Sequence, residues 1–351
     1  MNKKLLTLNN CGLFCEAGDF YIDPWRAVDK AVITHAHSDH AKWGSKKYLA
    51  VKESELLLRL RLGSDINLQV INYNESLNIN DVKVSLHPAG HILGSAQVRL
   101  EYKGEVCVIS GDYKIEADDT CAPFELVKCH TFITESTFGL PVYKWCRQQE
   151  IFDDINNWWR RNRNNEITSI IYGYALGKAQ RVLSGLDTSI GKIYTHGAVE
   201  NINQCYRNTG VNLPETNYIG EVEDKELFKG AIIIAPPSAD SAAWTKRFYE
   251  ISDAFASGWM QIRGNRRRRN VDKGFILSDH ADWDGLVSTI KETGAEQVCV
   301  THGYSSPLVN WLKENGWNAG VLNTMFEGEV NDSLSPNSQQ AGIGSGEETE
   351  N

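Results

Sequence analysis

No stretch of this 351-residue chain approaches the roughly 20 consecutive apolar residues of a membrane-crossing helix, so no membrane partner is expected. The start, MNKKLLTLNNCGLFCEAGDF, is basic but lacks the apolar run of a secretory leader. The eight cysteines, at 11, 15, 107, 121, 129, 146, 205 and 299, include no C-x-x-C pair. Cys107 and Cys299 sit in apolar, strand-like runs where buried free thiols are common. This usage points to a reducing cytoplasm without disulfides. Positive charge is not in excess either: 36 Lys and Arg against 45 Asp and Glu leave a net −9. That balance argues against a coat of positive charge for nucleic acid but leaves room for a local basic groove. No internal repeat is present. What remains, 41% hydrophobic and 23% charged, is an ordinary globular composition with length for two domains or one domain with a large insertion.

Histidine is scarce as well, nine in all, yet three of the nine fall within six residues of AVITHAHSDH, residues 31–40. A short apolar run ends there in His35, His37, Asp39 and His40, with only Ala36 and Ser38 between. The run reads as a buried strand leading into a loop. In extended backbone His35 and His37 point the same way, and the chain is expected to turn into a helix at DHAKWGSKKYLAV. A cluster of imidazoles and a carboxylate at the end of a buried strand is costly without a cation, and these donors suit a borderline ion such as zinc.

Further along, other apolar runs end the same way. EVCVI leads to Asp112, TFIT to Glu135, GFILS to His280 and QVCV to His302, while HPAGHILGS adds His91 from a loop. Open α/β sheets place their chemistry at the carboxyl ends of strands, and five such strands point to one shared site. Three histidines can hold one ion. A second ion needs its own histidine and aspartate, and Asp112 could bridge. Two metals about 3.5–4 Å apart can activate a shared water and neutralise a phosphodiester. Histidine and aspartate serve zinc and manganese alike.

Between these segments the style changes. A helix over Gln148–Arg163 precedes strand–helix alternations at TSIIYGYALGKAQRVLSGL, GKIYTHG and GAIIIAPPSA, the pattern of a parallel sheet covered by helices. A basic run, Arg266, Arg267, Arg268 and Arg269, closes this region. The division expected is 1–145, an insertion over 146–272, a return segment over 273–328, and a polar, Gly/Ser-rich tail over 329–351 without fixed structure.

The motifs THAHSDH, GH, SGD and THG resemble those of the metallo-β-lactamase fold. TESTFG, GYALGKAQR, LSDHADW and VTHGY are similar to the β-CASP nucleases, in the same order along nearly the whole chain. FASGWM, RGNRRRR and GFILSDHADW look closest to bacterial exonucleases described as DNA-ligase-associated. The resemblance implies an α/β protein, a metallo-β-lactamase αββα sandwich with an inserted β-CASP α/β cap domain. It implies two divalent metal ions, zinc and/or manganese. His35, His37 and His91 would hold the first, Asp39, His40 and His302 the second, with Asp112 bridging. His280 would be the general acid, oriented by Glu135.

The expected activity is that of a metal-dependent phosphodiesterase, a DNA exonuclease in end processing or repair with a functional link to a DNA ligase. RNA processing is the alternative, and His302 being histidine, as in the RNA-cleaving branch, favours it. A small-substrate metallo-hydrolase is more remote, because such enzymes need no strand-length cleft, and a metal-free binding relative is disfavoured by the full donor set. Lys178, Gln180 and Arg181 of GKAQR, and Arg266 to Arg269, are candidate phosphate contacts. Trp259 is the tryptophan singled out for base stacking.

Overall fold

The computed structural model describes residues 5–325. The end of the return segment (326–328) and the tail over 329–351 lie outside the described residues.

Six short strands form the first sheet in sequence order: β1 (Thr7–Asn9), β2 (Gly12–Cys15), β3 (Phe20–Ile22), β4 (Lys30–Val32), β5 (Lys47–Val51) and β6 (Leu68–Ile71). Successive side chains of β4 and β5 serve opposite faces, as the period of two demands. Ala31, Tyr48 and Ala50 join one core with Leu57, Leu58 and Leu62 of helix α1 (Glu55–Leu62), whereas Val32, Leu49 and Val51 join the core between the first two sheets. The helix expected from DHAKWGSKKYLAV does not form. KYLAV instead pairs in parallel with β4 and β6, and Gly44 at φ +100° sits in the turn before it. Burial of this stretch on both faces, Tyr48 and Ala50 in one core and Leu49 and Val51 in the other, outweighs its helical composition.

The second sheet begins with β7 (Ser76–Ile79), β8 (Val82–Pro88), β9 (Ala96–Tyr102), β10 (Glu105–Ile109) and β11 (Thr131–Thr134). Val82, Val84, Leu86, Val98 and Leu100 face the first sheet across a shared core.

Residues 168–275 then form a separate, wholly parallel sheet: β12 (Thr168–Tyr172), β13 (Ile193–Thr195), β14 (Asn217–Tyr218), β15 (Ile232–Ala235), β16 (Ile251–Ala256) and β17 (Lys273–Phe275), in the order β14-β13-β15-β12-β16-β17. Every residue of β12 and β15 is buried, as expected of central parallel strands covered on both faces. The helices of this region are α2 (Gln148–Asn164), α3 (Lys178–Ser184), α4 (Gly197–Asn208), α5 (Ala242–Thr245) and α6 (Arg263–Arg269). Ile151, Ile155 and Trp159 of α2 pack with Val182, Leu183 and Val199 on one face of the sheet. GFILSDH is therefore not one strand: Lys273–Phe275 pairs with β16 in the third sheet, and an irregular stretch carries the chain on to His280.

The chain then returns to the second sheet. α7 (Trp283–Thr293), β18 (Gln297–Val300), α8 (Ser305–Glu314) and β19 (Asn318–Val321) complete it in the order β19-β18-β11-β10-β9-β8-β7. Leu286, Ile290, Leu308 and Leu312 cover its outer face against Val108, Phe132, Val298 and Val300. The layers thus run helix, sheet, sheet, helix, with an inserted α/β unit. No helix among the described residues is long and apolar enough to cross a membrane.

Candidate metal centre

β4, β10, β11 and β18 end at one edge of the sandwich, and the turns that follow bring their donors together. His35 and His37 follow β4, Asp112 follows β10, and His91 enters from the β8–β9 loop. One ligand atom from each of these four lies within 4.8 Å of the others. His40, Asp112 and His302 form a second such group around the same carboxylate. His40 Nε2 stands 3.6 Å from Asp39 Oδ2 and 3.7 Å from Asp112 Oδ2, and His302 Nε2 stands 2.9 Å from Asp112 Oδ1. His302 adopts φ +23°, a region non-glycine residues rarely occupy.

The hydrogen bonds on the far side of each ring determine which nitrogen faces inward. His91 Nδ1 lies 2.8 Å from the Asp279 carbonyl, and His37 Nε2 lies 3.2 Å from the Leu176 carbonyl. A carbonyl only accepts, so these nitrogens carry the protons and His91 Nε2 and His37 Nδ1 present lone pairs. Thr34 Oγ1 donates to Asp23 Oδ2 and therefore accepts from His35 Nδ1, leaving His35 Nε2 bare. These three bare nitrogens converge, with His37 Nδ1 at 3.1 Å from both others. Burial and the neighbouring imidazoles hold His35 well below its ordinary value, and burial likewise lowers His37 and His91, so the rings are neutral. Three lone pairs aimed at one another at hydrogen-bond distance repel unless a cation sits among them. The donor set therefore fits a metal ion.

The second group makes the same demand in another form. Burial would depress His40, but Asp39, Asp112 and Asp23 raise it to about 10. Burial would raise Asp112, yet His40 and His302 hold it well below the carboxylate range. The carboxylates here call for positive charge, from a proton or an ion.

Beside these groups His280 Nδ1 lies 2.8 Å from Glu135 Oε2, with both side chains buried, while Glu135 Oε1 accepts the Tyr113 backbone N–H at 2.7 Å. Burial opposes protonation of His280, but Glu135 raises it to about 10. Its Nε2 makes no hydrogen bond among the described residues. The ring packs near Phe138, part of an aromatic cluster with Tyr143, Trp145, Trp259 and Tyr304. Trp259 is committed to that cluster and is not presented as a free stacking surface. The tryptophan that is presented is Trp43, 76% exposed, three residues after His40.

The GKAQR residues are not where a strand would meet them. Lys178, Gln180 and Arg181 are fully buried. Lys178 pairs with Asp279, and Arg181 pairs with Asp118 and donates to Gln148 Oε1 and the His91 carbonyl. Gln180 Oε1 accepts the Gly177 N–H, and its amide donates to Ala175 O and Asn203 Oδ1. Their burial runs against the expected role as phosphate contacts: Arg181 ties the inserted unit to the His91 loop, Lys178 ties it to Asp279, and Gln180 bonds within the inserted unit. Among the arginines of the basic run, Arg267 and Arg268 are exposed on α6, whereas the Arg269 guanidinium lies 4.1 Å from the Phe255 ring centre. The side chain of Arg266 lies outside what is described.

Sequence reasoning missed Asp23 and Asp279. Asp23, directly after β3, is buried, sits at φ +43°, and accepts from His40 Nδ1 at 2.7 Å and from Thr34. Asp279 was visible as a second acid beside His280 in LSDHADW, but its partner Lys178 is 101 residues away.

No family model matches the chain. It is 27% identical over 333 residues to a protein named "Probable DNA ligase" from Opitutus terrae, a match over 94% of this chain and 32% of that protein. It is 27% identical over 233 residues to an RNase J-like protein of Methanocaldococcus jannaschii (57% of this chain, 54% of the relative) and 30% identical over 185 residues to the endoribonuclease YSH1 of Gibberella zeae (50% and 21%). The chain thus spans about a third of the ligase relative and from a fifth to about half of the others. In fold it is similar to a protein of unknown function from Enterococcus faecalis, with a TM-score of 0.59, 12% identity, and coverage of 85% of this chain and 80% of that one. The layered sandwich and its motifs define a metallo-β-lactamase fold. Through these relatives the chain is similar in sequence to the β-CASP nucleases of that fold.

Proposed function

We propose that the protein is a metal-dependent nuclease, a hydrolase of phosphodiester bonds that trims DNA ends. The observation that carries this reading is the convergence of three bare imidazole nitrogens, two of them 3.1 Å from the third, next to a His280–Glu135 pair at the floor of a cavity. That cavity, about 270 Å³, is lined by His37, Asp39, Asp112 and His280 on one side and by Leu176, Ile202, Pro236 and Pro237 of the inserted unit on the other. On this reading the inserted unit, which the pairing of Lys273–Phe275 with β16 extends past the expected boundary at 272, is a cap on the sandwich built from the segments on either side of it.

His35, His37, His91 and Asp112 would hold one divalent ion, zinc or manganese. Asp39, His40 and His302 would hold the other, sharing Asp112. When bound, such ions activate water and offset the charge that builds up on a phosphate. The chain's own residues do the rest. Glu135, fixed by the Tyr113 N–H, holds His280 with Nδ1 protonated and Nε2 turned away from it. His280 Nε2–H then supplies the proton that the leaving oxygen needs. The apolar wall of Leu176, Ile202 and the two prolines limits water beside the reacting group.

The DNA assignment is supported by the ligase-named relative, whose match runs along 94% of this chain, against about half for the ribonuclease relatives. The second reading, RNA processing, is favoured by His302 and by the names of those relatives. A cleavage assay on matched single-stranded DNA, double-stranded DNA and RNA, labelled at either end, with manganese or zinc and beside Asp39→Ala, tests both. Stepwise shortening of DNA, absent in the variant, is the expected result. Preferred cleavage of RNA moves the protein to the second reading, and no cleavage of any strand rejects both.

A further inference from the structure

Helix α1 ends beside the cavity, and Arg61 in its last turn lines the same space as His37, Asp39, Asp112 and His280. Among the described residues lining that space, Arg61 is the one permanent cation. The side chain is exposed, donates no hydrogen bond and forms no ion pair among the described residues. Helix-end duty does not explain it. Its neighbour Arg59 already donates to the Ser64 and Ile66 carbonyls beyond the helix and pairs with Glu55. The other charged groups around the cavity are accounted for: the imidazoles and carboxylates face one another or Glu135. α1 also packs against α4, whose Ile202 forms part of the opposite wall, so Arg61 stands where the sandwich and the inserted unit meet.

We propose that Arg61 binds a phosphate of the nucleic-acid strand in this cavity, an inference that rests on the nuclease reading above. A guanidinium offers a planar fork of N–H donors that matches two phosphate oxygens, which an ammonium does not. The apolar wall of Leu176, Ile202, Pro236 and Pro237 across the same cavity lowers the local dielectric and strengthens such a contact. Its place in the wall, apart from the two donor groups, assigns it to holding the strand and not to the bond being cut.

The test compares wild type, Arg61→Ala and Arg61→Lys in strand cleavage at several salt concentrations. It adds fluorescence-anisotropy binding of a labelled single strand in a His280→Ala background, where cutting is suppressed. Arg61→Ala is expected to raise KM and the dissociation constant about ten- to hundredfold, with kcat changed much less. The slope of log affinity against log salt should fall in magnitude by about 0.7. Arg61→Lys should keep the slope and recover only part of the affinity. Arg61 is exposed, so an unchanged melting temperature is expected and separates the effect from unfolding. Unaltered KM, binding and salt slope in Arg61→Ala, with wild type cutting normally, overturn the inference alone. A wild type that neither binds nor cuts any strand removes the nuclease reading and this inference with it.

Discussion

Lys178 and Asp279 form an ion pair in which neither side chain reaches solvent, and Asp279 immediately precedes His280. The Asp279 backbone carbonyl also accepts from His91 Nδ1. One residue thus ties α3 of the inserted unit to two imidazoles of the site. Removing one member of a buried pair leaves an uncompensated charge, which costs about 3–5 kcal/mol. Lys178→Met should therefore lower stability by that order in denaturant unfolding, and Lys178→Met with Asp279→Leu should recover part of it. A fully stable Lys178→Met with weakened strand binding would restore the phosphate-contact role that the burial of Lys178 argues against.

His280 and His35 sit in one site but face different demands. His35→Ala removes one of three converging lone pairs and should cost bound metal as well as cleavage. His280→Ala should cut the rate by about 10²–10⁴ with metal content near normal, the range for loss of a proton donor. Metal analysis of both purified variants decides it. Equal metal loss in the two would make His280 a ligand.

Among the described residues the Asp23 carboxylate accepts from the back of His40, the Thr34 backbone N–H and the Thr34 hydroxyl. Asp23→Asn should weaken one of two bound ions about 10–100-fold, as loss of a carboxylate behind a ligating imidazole does. Competition titration with a chromophoric chelator reads the two affinities separately. An equal loss at both sites would contradict the assignment of His40 to one ion.

Metal and proton compete for the same positive-charge demand. In metal-free protein His40 and His280 are each raised to about 10. A raised histidine gives stability that is fully present below about pH 6.5 and is lost as pH rises toward 10. Metal-free protein should therefore lose stability between those values. Zinc or manganese at 100 times the dissociation constant should add about 2.7 kcal/mol and flatten the part of the slope due to His40. Melting curves across pH, with chelator and after metal return, follow both effects. A pH-independent melting point in chelator would count against the charged His40.

Arg267 and Arg268 are exposed on α6, directly after the aromatic cluster that includes Trp259. Replacing both by alanine should reduce the salt slope of single-strand binding by about 1.4, two contacts' worth. Arg269→Ala, which uncovers Phe255, should act on stability instead. An unchanged slope in the double variant would put α6 outside the strand path.

The cluster was legible because His35, His37, Asp112 and His302 each stand just past a short apolar run, a pattern that survives without knowledge of pairing, and the layered sandwich whose strands carry them was legible too. His91 joins from a loop and was found through its own motif. The expected helix after Asp39 failed because KYLAV is buried on alternate faces by partners at both sides, information held in β4 and β6. GKAQR misled for a related reason. Lysine and arginine at a helix start look solvent-facing until their acids, Asp279 and Asp118, arrive from elsewhere in the chain. Asp23 could be found only from the ring it supports.

The site is also spread along the chain in time. Asp23 through Asp112 are made first, the inserted unit follows, and 190 residues separate Asp112 from His302. A nascent chain therefore carries a partial donor set, without His280 or the ligand of β18, for most of its synthesis. Under the nuclease reading, cutting power arrives only when the last strands dock. On that reading, nearby nucleic acid would be spared until folding has closed the inserted unit over the donors.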